Sequence, residues 1–316
     1  MTGSIDRSDD ATTSGSLPWD DRDSAALITM MRLKPKAGEW SEIAERVVER
    51  GSARLLWEDE HPRDLFGDDA DEALLTRSTA DVQAWKTASF RCHTFMDSSY
   101  PERLRSVRRM PPVVFTQGTL PTDDVGVCVV GSREVSARGL SFAQTVSRSL
   151  VSEGLTVIAG LAKGIDTAAH RATLDAGGRT VAVLGNGLSR AYPQENRDLQ
   201  AEIADRGMLL THFLPEYAPT RWSFPARNVT MSAYGFATII VEAGEKSGTR
   251  IQAREAVAHG RPVILNETVI QATTWGRKLM NEPGVYVASS PQEAVGCAMS
   301  ILDHRLTVSR LLRTLS

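Results

Sequence analysis

Cysteine is scarce in this chain, and its three copies, Cys92, Cys128 and Cys297, lie far apart. This spacing indicates neither a disulfide framework nor a metal site, so we expect free thiols in a reducing cytoplasm. Long apolar runs are also missing, since none approaches the roughly 20 residues that span a membrane. The Ser-, Thr- and Asp-rich stretch from Met1 to Asp23 lacks the apolar core of a signal peptide. We therefore predict a cytoplasmic protein without a membrane segment.

A strong excess of charge is absent as well. The chain has 36 Lys and Arg against 39 Asp and Glu, which gives a net charge of −3 and a pI of about 6.1. Any nucleic-acid surface must therefore be a local patch. Neither a GxGxxG motif nor a GxxxxGK[ST] motif occurs. These absences argue against dinucleotide and P-loop ATP chemistry, and no cofactor is predicted.

What the chain does contain is a series of short apolar segments that each stop at a glycine. The segments are Gly126–Val130, Leu155–Ala159 and Thr180–Leu184, followed by Gly131, Gly160 and Gly185. Amphipathic stretches separate them, which is the βαβαβ pattern of a parallel sheet covered on both faces. The predicted fold class is α/β: an extended Rossmann-like parallel sheet domain preceded by a small helical domain.

The pattern along the chain predicts four segments. They are a disordered tail over 1–23, a small helical domain over 24–88, the Rossmann-like domain over 89–305 and a C-terminal helix over 306–316. The helical domain is interpreted as a packing or dimerisation module. Pro111–Gly118 predicts an edge strand entered from prolines. Residues 213–225 predict a long loop, and loops of this length inside α/β domains are often functional.

Glycines, cations and hydroxyl groups follow the predicted strands. In an open parallel sheet this edge forms the ligand crevice, and the helix N-termini behind it present N–H groups that suit phosphate. The predicted phosphate- or nucleic-acid-binding residues are Gly131, Ser132, Arg133, Gly160, Lys163, Gly164, Asn186, Arg227, Asn228, Ser247, Gly248 and Thr249. Thr249 is also a candidate helix N-cap. The set fits one mononucleotide or successive phosphates of a strand.

Three further residues could transfer protons or only support the fold. Asp166 and His170 lie four residues apart on a predicted helix, which suits an acid/base pair, or a capping Asp beside a structural His. Glu242 at a strand end is either a lone general base or an acceptor of hydrogen bonds from neighbouring loops. A hydrolytic triad with Ser132 would need a nucleophile elbow, which is missing. No catalytic residue is predicted.

Aromatic side chains concentrate in the loop over 213–225, beside Arg221 and Arg227. Aromatic faces near guanidinium groups suit the stacking of unpaired bases. The alternative is a hydrophobic lid packed on the sheet edge.

Several motifs occur in a characteristic order and spacing. They are Val130-Gly-Ser-Arg133, Ala159-Gly-Leu-Ala-Lys-Gly-Ile-Asp-Thr-Ala-Ala-His170, Thr180-Val-Ala-Val-Leu-Gly-Asn-Gly187, Tyr192-Pro193, Phe224-Pro225 with Arg227-Asn228, and Val241-Glu-Ala243 with Ser247-Gly248. In these motifs the chain resembles the DprA/Smf family of DNA-processing proteins, over about residues 90–265. The N-terminal helices look like the small, SAM-like helical domain of that family.

The resemblance implies a protein that is not an enzyme but binds and protects single-stranded DNA, forms a homodimer and passes the strand to a RecA-type recombinase during recombination and natural transformation. It makes Arg133, and then Lys163, the expected DNA contacts. The chain departs from the family pattern at Thr211-His212, where Ser-Glu is usual, and at Val229, where a second Arg is usual. It leaves no room for the winged-helix domain that some members carry.

The alternative function is a nucleotide sensor or a LOG-like nucleotide phosphoribohydrolase, for instance in a defence system. Those hydrolases carry a Gly-Gly-x-Gly-Thr-x-x-Glu motif after a strand. In this chain Ser247-Gly248-Thr249 is followed by Gln252 where that Glu would fall, and Glu255 comes one turn later. The catalytic pattern is therefore incomplete.

Overall fold

The computed structural model describes residues 19–34, 40–62 and 69–315. The predicted tail lies outside these ranges up to residue 18. Its last three residues belong to the first helix, α1 (Asp21–Leu33). This helix begins early because the Asp20 carboxylate accepts hydrogen bonds from the N–H groups of Arg22 and Asp23, which is the role of an N-cap.

The N-terminal part is helical, as its periodicity predicts. After α1 come α2 (Trp40–Arg50), α3 (Ala53–Glu60) and α4 (Asp69–Trp85). The Ser52 side chain caps α3 by accepting from the N–H of Leu55, and its own hydroxyl donates to the buried Asp23 carboxylate at 2.6 Å. The N-terminus of α3 is thereby hydrogen-bonded to α1, and the apolar faces of both helices are buried.

The described residues contain one sheet of nine strands. The strands are β1 (Arg91–Thr94), β2 (Val113–Gly118), β3 (Gly126–Val130), β4 (Thr156–Ala159), β5 (Thr180–Val183), β6 (Met208–Thr211), β7 (Ala237–Ile240), β8 (Val263–Asn266) and β9 (Val285–Ala288). Their order is β1-β2-β6-β5-β4-β3-β7-β8-β9. Strands β3 to β9 pair in parallel, and β1 and β2 add an antiparallel margin. The predicted extended Rossmann-like α/β fold is confirmed.

The chain reverses its direction across the sheet at β3. From β3 it moves outward through β4, β5 and β6, and then returns to β7 on the other side of β3 before continuing to β8 and β9. The carboxyl ends of β3 and β7 therefore border a topological switch point. In open α/β sheets the ligand crevice lies there, because the loops leave the two strands in opposite directions.

Helices connect the strands and cover both faces of the sheet. They are α5 (Glu102–Arg105), α6 (Ala137–Ser152), α7 (Ile165–Asp175), α8 (Arg197–Arg206), α9 (Ser223–Tyr234), α10 (Thr249–Ala258), α11 (Glu267–Ala272), α12 (Thr274–Leu279) and α13 (Pro291–Leu315). Strand β3 shows why its apolar run is continuous: Val127 and Val129 join one core with α6, α7 and α13, whereas Cys128 and Val130 join the other core.

The predicted edge position of one strand and the predicted start of the last helix were wrong. The strand predicted at an edge, β2, lies between β1 and β6, because Pro111 and Pro112 precede the strand and leave its N–H groups free to pair on both sides. The predicted C-terminal helix is the last part of α13, a single helix from Pro291. Asp303, His304 and Arg305 contain no helix breaker, so the helix continues through them.

Candidate nucleic-acid interface

The loops that follow β3 and β4 touch each other at the carboxyl edge of the sheet. Gly164 adopts a positive φ of 82°, and a Cβ there would lie 2.4 Å from the Ser132 carbonyl oxygen. The N–H of Ile165 donates to the same oxygen at 3.2 Å. Only glycine permits this approach, since other residues avoid such backbone angles and would clash. The two loops thus place Arg133 and Lys163 on one groove.

Arg133 is an exposed cation supported by an aromatic ring. Its guanidinium carbon lies 5.4 Å from the centroid of the Phe224 ring, which belongs to the first turn of α9. A cation over an aromatic face is held without neutralising its charge. Arg133 therefore presents its N–H donors to the groove with a preferred orientation.

Lys163 also points to solvent but has a partner. Its Nζ lies 2.7 Å from Glu195 Oε1, and both side chains are about 60% exposed (61% and 62%). An ion pair at this exposure contributes about 0–1 kcal/mol, so an incoming phosphate can displace the carboxylate at little cost. Unlike Arg133, Lys163 would have to leave its ion pair with Glu195 before it contacts a phosphate.

Arg227 lies beneath the groove and not on its surface. Its side chain is buried, with Nη1 donating to the Val183 carbonyl at 2.8 Å and Nε to the Asn228 side chain at 3.0 Å. Burial lowers the pKa of Arg227, and the nearby Asp166 carboxylate opposes that shift. A Cβ on Gly160 would overlap the Arg227 guanidinium, so that glycine makes room for it.

Asp166 supports the loop that carries Lys163. Its Oδ2 accepts a hydrogen bond from the N–H of Ala162 at 3.3 Å. Burial raises the pKa of the Asp166 carboxyl, and the charge of Arg227 opposes the rise. The Asp166 carboxylate and the Arg227 guanidinium both lie against Gly160, where a Cβ would clash with them. This geometry favours a structural role for Asp166.

His170 is fully buried one turn further along α7. Its Nε2 faces the Gly160 carbonyl at 2.5 Å, and its Nδ1 lies 2.7 Å from Thr180 Oγ1. A carbonyl oxygen only accepts, so Nε2 carries the proton, while the Thr180 hydroxyl beside Nδ1 donates to the Val157 carbonyl at 2.8 Å. Burial lowers the pKa of His170 to about 4, which keeps the ring neutral. His170 thus lies buried between α7 and the sheet, a position that favours a structural role.

Glu242 follows β7 and holds the start of α6. Its carboxylate accepts hydrogen bonds from the N–H of Ser136 at 3.1 Å and from the Ser136 hydroxyl at 2.6 Å. A negative charge near a helix N-terminus is stabilising. Gly139 leaves the space for this carboxylate, since a Cβ there would lie 2.2 Å from Oε2. Among its two predicted roles, the contacts favour acceptance of loop hydrogen bonds.

Asn186 and Ser132 are turned to their own loops. The Asn186 amide is buried and donates to the carbonyls of Gly187 and Arg190 at 2.9 and 2.8 Å. The Ser132 hydroxyl donates to the Glu134 carbonyl at 2.5 Å. Both side chains therefore shape the turns in which they lie.

The loop after β7 presents a helix start to the same edge. The Ser247 hydroxyl oxygen accepts from the N–H of Thr249 at 3.2 Å, so Ser247 supplies the capping interaction that was predicted for Thr249. Gly248 borders open space, and its carbonyl accepts a hydrogen bond from the Asn228 amide at 3.4 Å. This turn is the predicted phosphate-binding segment with the most accessible backbone.

Two depressions at this edge join into one groove. The smaller, of about 130 Å³, lies between the loops after β4 and β5, and the larger, of about 470 Å³, lies at the switch point between β3 and β7. Both are lined by Arg133, Ala162, Phe224 and Arg227. The groove crosses the ends of successive strands, a path that suits an extended polymer better than one compact ligand.

Three residues that line the groove are absent from the predicted binding set, although Phe224 belongs to the aromatic loop predicted to stack bases or form a lid. Phe224 and Tyr192 form its aromatic wall with ring centroids 5.5 Å apart, and Lys246 contributes a further exposed cation. The motifs Tyr192-Pro193 and Phe224-Pro225 were the available signal. At the position where the family pattern leads one to expect a second Arg, Val229 is buried and adds no charge to the groove.

Part of the aromatic loop packs on the core as the predicted lid, whereas base stacking by its other rings stays a prediction. Phe213 and Tyr217 stack on each other at 4.6 Å and pack with the core as a lid. Trp222, in contrast, is 70% exposed, with the Arg221 guanidinium 4.6 Å from its ring. The helix that follows begins at Ser223, five residues before the predicted start at 228.

Within the described ranges, no group of three or more His, Cys, Asp or Glu side chains is arranged to hold a metal ion. No helix in these ranges has the length and apolar character to cross a membrane.

The fold is Rossmann-like, and cationic side chains of its strand-end loops line a groove at the carboxyl edge of the sheet. The family model described as DNA recombination-mediator protein A matches residues 91–296. The chain belongs to this family, as its DprA/Smf motifs predict. Membership confirms the expectation of a recombination mediator that is not an enzyme, so the phosphoribohydrolase alternative is not supported.

Named relatives agree with this assignment. DNA processing protein DprA of Streptococcus pneumoniae is 30% identical over 252 residues, which cover 73% of this chain and 89% of the relative. Protein Smf of Synechocystis is 36% identical over 210 residues, 64% of this chain and 47% of the relative. The chain thus spans about half the length of some relatives.

Solved structures show the same fold. DNA processing protein A from S. pneumoniae has a TM-score of 0.67 at 28% identity, covering 89% of this chain and 98% of that one. A structure of the Helicobacter pylori protein, reported for its single-stranded DNA binding mode, has a TM-score of 0.59 at 21% identity, covering 68% and 97%. At that identity the likeness is one of fold.

Proposed function

We propose that the groove binds single-stranded DNA along the strand-end loops and protects it for recombination. The observation that carries this proposal is the contact between the loops after β3 and β4, which aligns Arg133 and Lys163 in one continuous groove. Two cations at neighbouring loops match successive phosphates of a backbone. Because the whole chain carries a net charge of −3, attraction to DNA has to come from this local patch of cations.

The chemistry of the groove suits an unpaired strand. Exposed Arg133 and Lys163 contact phosphates, and Phe224 provides a face for a base. A duplex hides the base faces that such a wall would stack against. The site is therefore a single-strand site.

The partners follow from the family as proposals. A recombination mediator has to hand its strand to a recombinase, and we infer a RecA-type partner. The last turns of α13 expose Val308, Leu311 and Leu312 on one face, with 41%, 58% and 62% of each residue accessible. Such a row of apolar side chains supports the proposal of a homodimer, which sedimentation analysis can test.

The test of strand binding is a fluorescence anisotropy titration with a labelled single strand at several salt concentrations. Arg133→Ala should weaken binding of all sequences alike and reduce the slope of log affinity against log salt by about 1, because one phosphate contact is lost. The control is Arg148→Ala, which removes an exposed arginine of α6 outside the groove. No affinity of the wild type at low salt would refute the proposal.

A further inference from the structure

Gln252 is the least satisfied side chain near the groove. It lies on α10, three residues after Thr249, is 1% exposed, and lines the larger depression at the switch point. Neither its Nε2 nor its Oε1 has a hydrogen-bond partner among the described residues. Burying an amide without partners is costly, and native proteins rarely keep such a group without a purpose.

The surroundings of Gln252 indicate the missing partner. The turn before α10 lies one helical turn away, where Gly248 is exposed and borders open space, whereas the N–H groups of Thr249 and Arg250 are already bonded to Ser247. Exposed Lys246 and Arg133 line the same depression. The site therefore combines a place for an anion with an adjacent amide that offers one donor and one acceptor.

We propose that the depression at the switch point receives an unpaired nucleobase, whose donor and acceptor edge pairs with the Gln252 amide while its phosphate lies at the Ser247–Thr249 turn. A free base edge presents a donor beside an acceptor, and a glutamine amide matches it with two hydrogen bonds. The depression, of about 470 Å³, is large enough for one nucleotide. The base comes either from a bound strand, in which case the inference rests on the proposed function, or from a free nucleotide.

The identity of residue 252 also limits the chemistry. An amide can donate and accept hydrogen bonds, but unlike a carboxylate it cannot take up a proton at neutral pH. Gln252 itself therefore acts by hydrogen bonding and not by proton transfer. This separates Gln252 from the phosphate contacts, since its effect should depend on the base and not on salt.

The test is a cycle of two proteins and two ligands. Wild type and Gln252→Met are titrated with oligo(dA) and with an abasic strand of equal length, which keeps the phosphates but lacks the bases. We expect wild type to bind oligo(dA) roughly 10- to 100-fold tighter than the abasic strand, a range that matches one bidentate pair. In Gln252→Met most of this preference should be lost, with an unchanged salt dependence.

Thermal unfolding gives a second measurement. Without ligand, Gln252→Met should raise the melting temperature by about 2–4 °C, because an unpaired buried amide is replaced by an apolar side chain of similar length. A merely structural Gln252 would give the opposite sign. Gln271→Met, at an exposed glutamine of α11, is the matched control and should change neither affinity nor melting temperature.

A separate titration with dAMP identifies the source of the base. Binding of dAMP that is lost in Gln252→Met supports the site with a free nucleotide as its ligand. A wild type that binds both strands equally and does not bind dAMP overturns the inference, as does a full base preference in Gln252→Met. Loss of strand binding in Arg133→Ala, with the base preference of wild type absent, would refute this site while leaving the proposed strand binding intact.

Discussion

At the scale of single residues, the groove divides its polar groups by burial. Arg133 and Arg227 are both arginines near the same edge, yet the first is exposed over a ring and the second is enclosed and hydrogen-bonded to a strand carbonyl. The exposed one is free to bind a ligand, whereas the buried one positions the backbone at Gly160. The motif Arg227-Asn228 therefore contributes to the shape of the groove, not to its accessible charge.

The buried His170 leads to a prediction on pH. Its folded-state pKa of about 4 lies below the value of 6.5 that it has in the unfolded chain, so protonation favours unfolding. The contribution of His170 to stability is complete above pH 6.5 and is lost as the pH falls toward 4. Between pH 7 and pH 5 it should decrease by about 2 kcal/mol. Urea denaturation of wild type and His170→Gln at both pH values measures the difference.

The variant His304→Gln is the control for this measurement, because His304 is exposed on α13. In His170→Gln the free energy of unfolding should fall less steeply with acidification than in wild type. Equal slopes for wild type and His170→Gln would show that His170 is not held neutral by burial.

At the scale of elements, the contact between two loops is the step that forms the site. Each loop is encoded locally by an apolar run that ends at a glycine, and the βαβ pattern predicts that both lie at one edge. Their direct contact needs a further condition, namely the positive φ of Gly164 beside the Ser132 carbonyl. The geometry of one turn thus decides whether two cations share a groove.

Gly164→Ala should therefore damage both stability and DNA binding. It places a side chain at φ 82° and ψ −125°, a conformation that essentially only glycine adopts, and it adds a clash against the Ser132 oxygen. Gly154→Ala is a matched control, because Gly154 also has a positive φ, of 71°, but no atom lies within 4 Å of the added Cβ. We expect a smaller loss of stability in Gly154→Ala than in Gly164→Ala in urea denaturation, since only the latter adds the clash.

Anisotropy titration then separates the two glycines by function. Gly154→Ala should keep the single-strand affinity of wild type, whereas Gly164→Ala should lose affinity about tenfold or more, since the loops with Arg133 and Lys163 move apart. If both variants bound DNA equally well, the contact between the loops would not be needed for the site.

At the scale of the whole molecule, the helical part and the sheet share one core. Residues of α1 to α4 belong to the same cluster of buried side chains as β2, β5 and β6. Trp40 lies at the junction: its ring packs against His212 and Phe213, and its Nε1 donates to the Lys34 carbonyl at 2.7 Å. His212, where the family usually has an acidic residue, is buried, and burial lowers its pKa to about 3.

We expect Trp40→Ala to destabilise the whole protein by about 3–5 kcal/mol, because it leaves a cavity where the two parts meet. Trp222→Ala is the control and should stay within about 0.5 kcal/mol, since that ring is 70% exposed. Denaturation followed by circular dichroism and by tryptophan fluorescence should give coincident transitions for each protein. Separate transitions in wild type would show that the helical part unfolds on its own.

The sequence by itself determined the class of fold and the edge that carries the site. Apolar runs that stop at Gly131, Gly160 and Gly185 encode buried parallel strands, and such strands end at one edge. Pattern reasoning failed where an outcome depends on distant neighbours. The interior position of β2 depends on pairing with both β1 and β6. The continuity of α13 was missed for a local reason, since residues 303–305 contain no helix breaker.

Only the tertiary structure decided which of the strand-end residues are accessible to a ligand. Asn186, His170 and Arg227 fit a ligand site by residue type, but each is buried and bonded within the protein, Asn186 to its own loop and Arg227 to the remote Val183 carbonyl. Gln252, by contrast, lies in the wall of the groove with an unpaired amide. Burial and pairing are set by what packs over a side chain, and that follows from the order of the strands and not from local sequence.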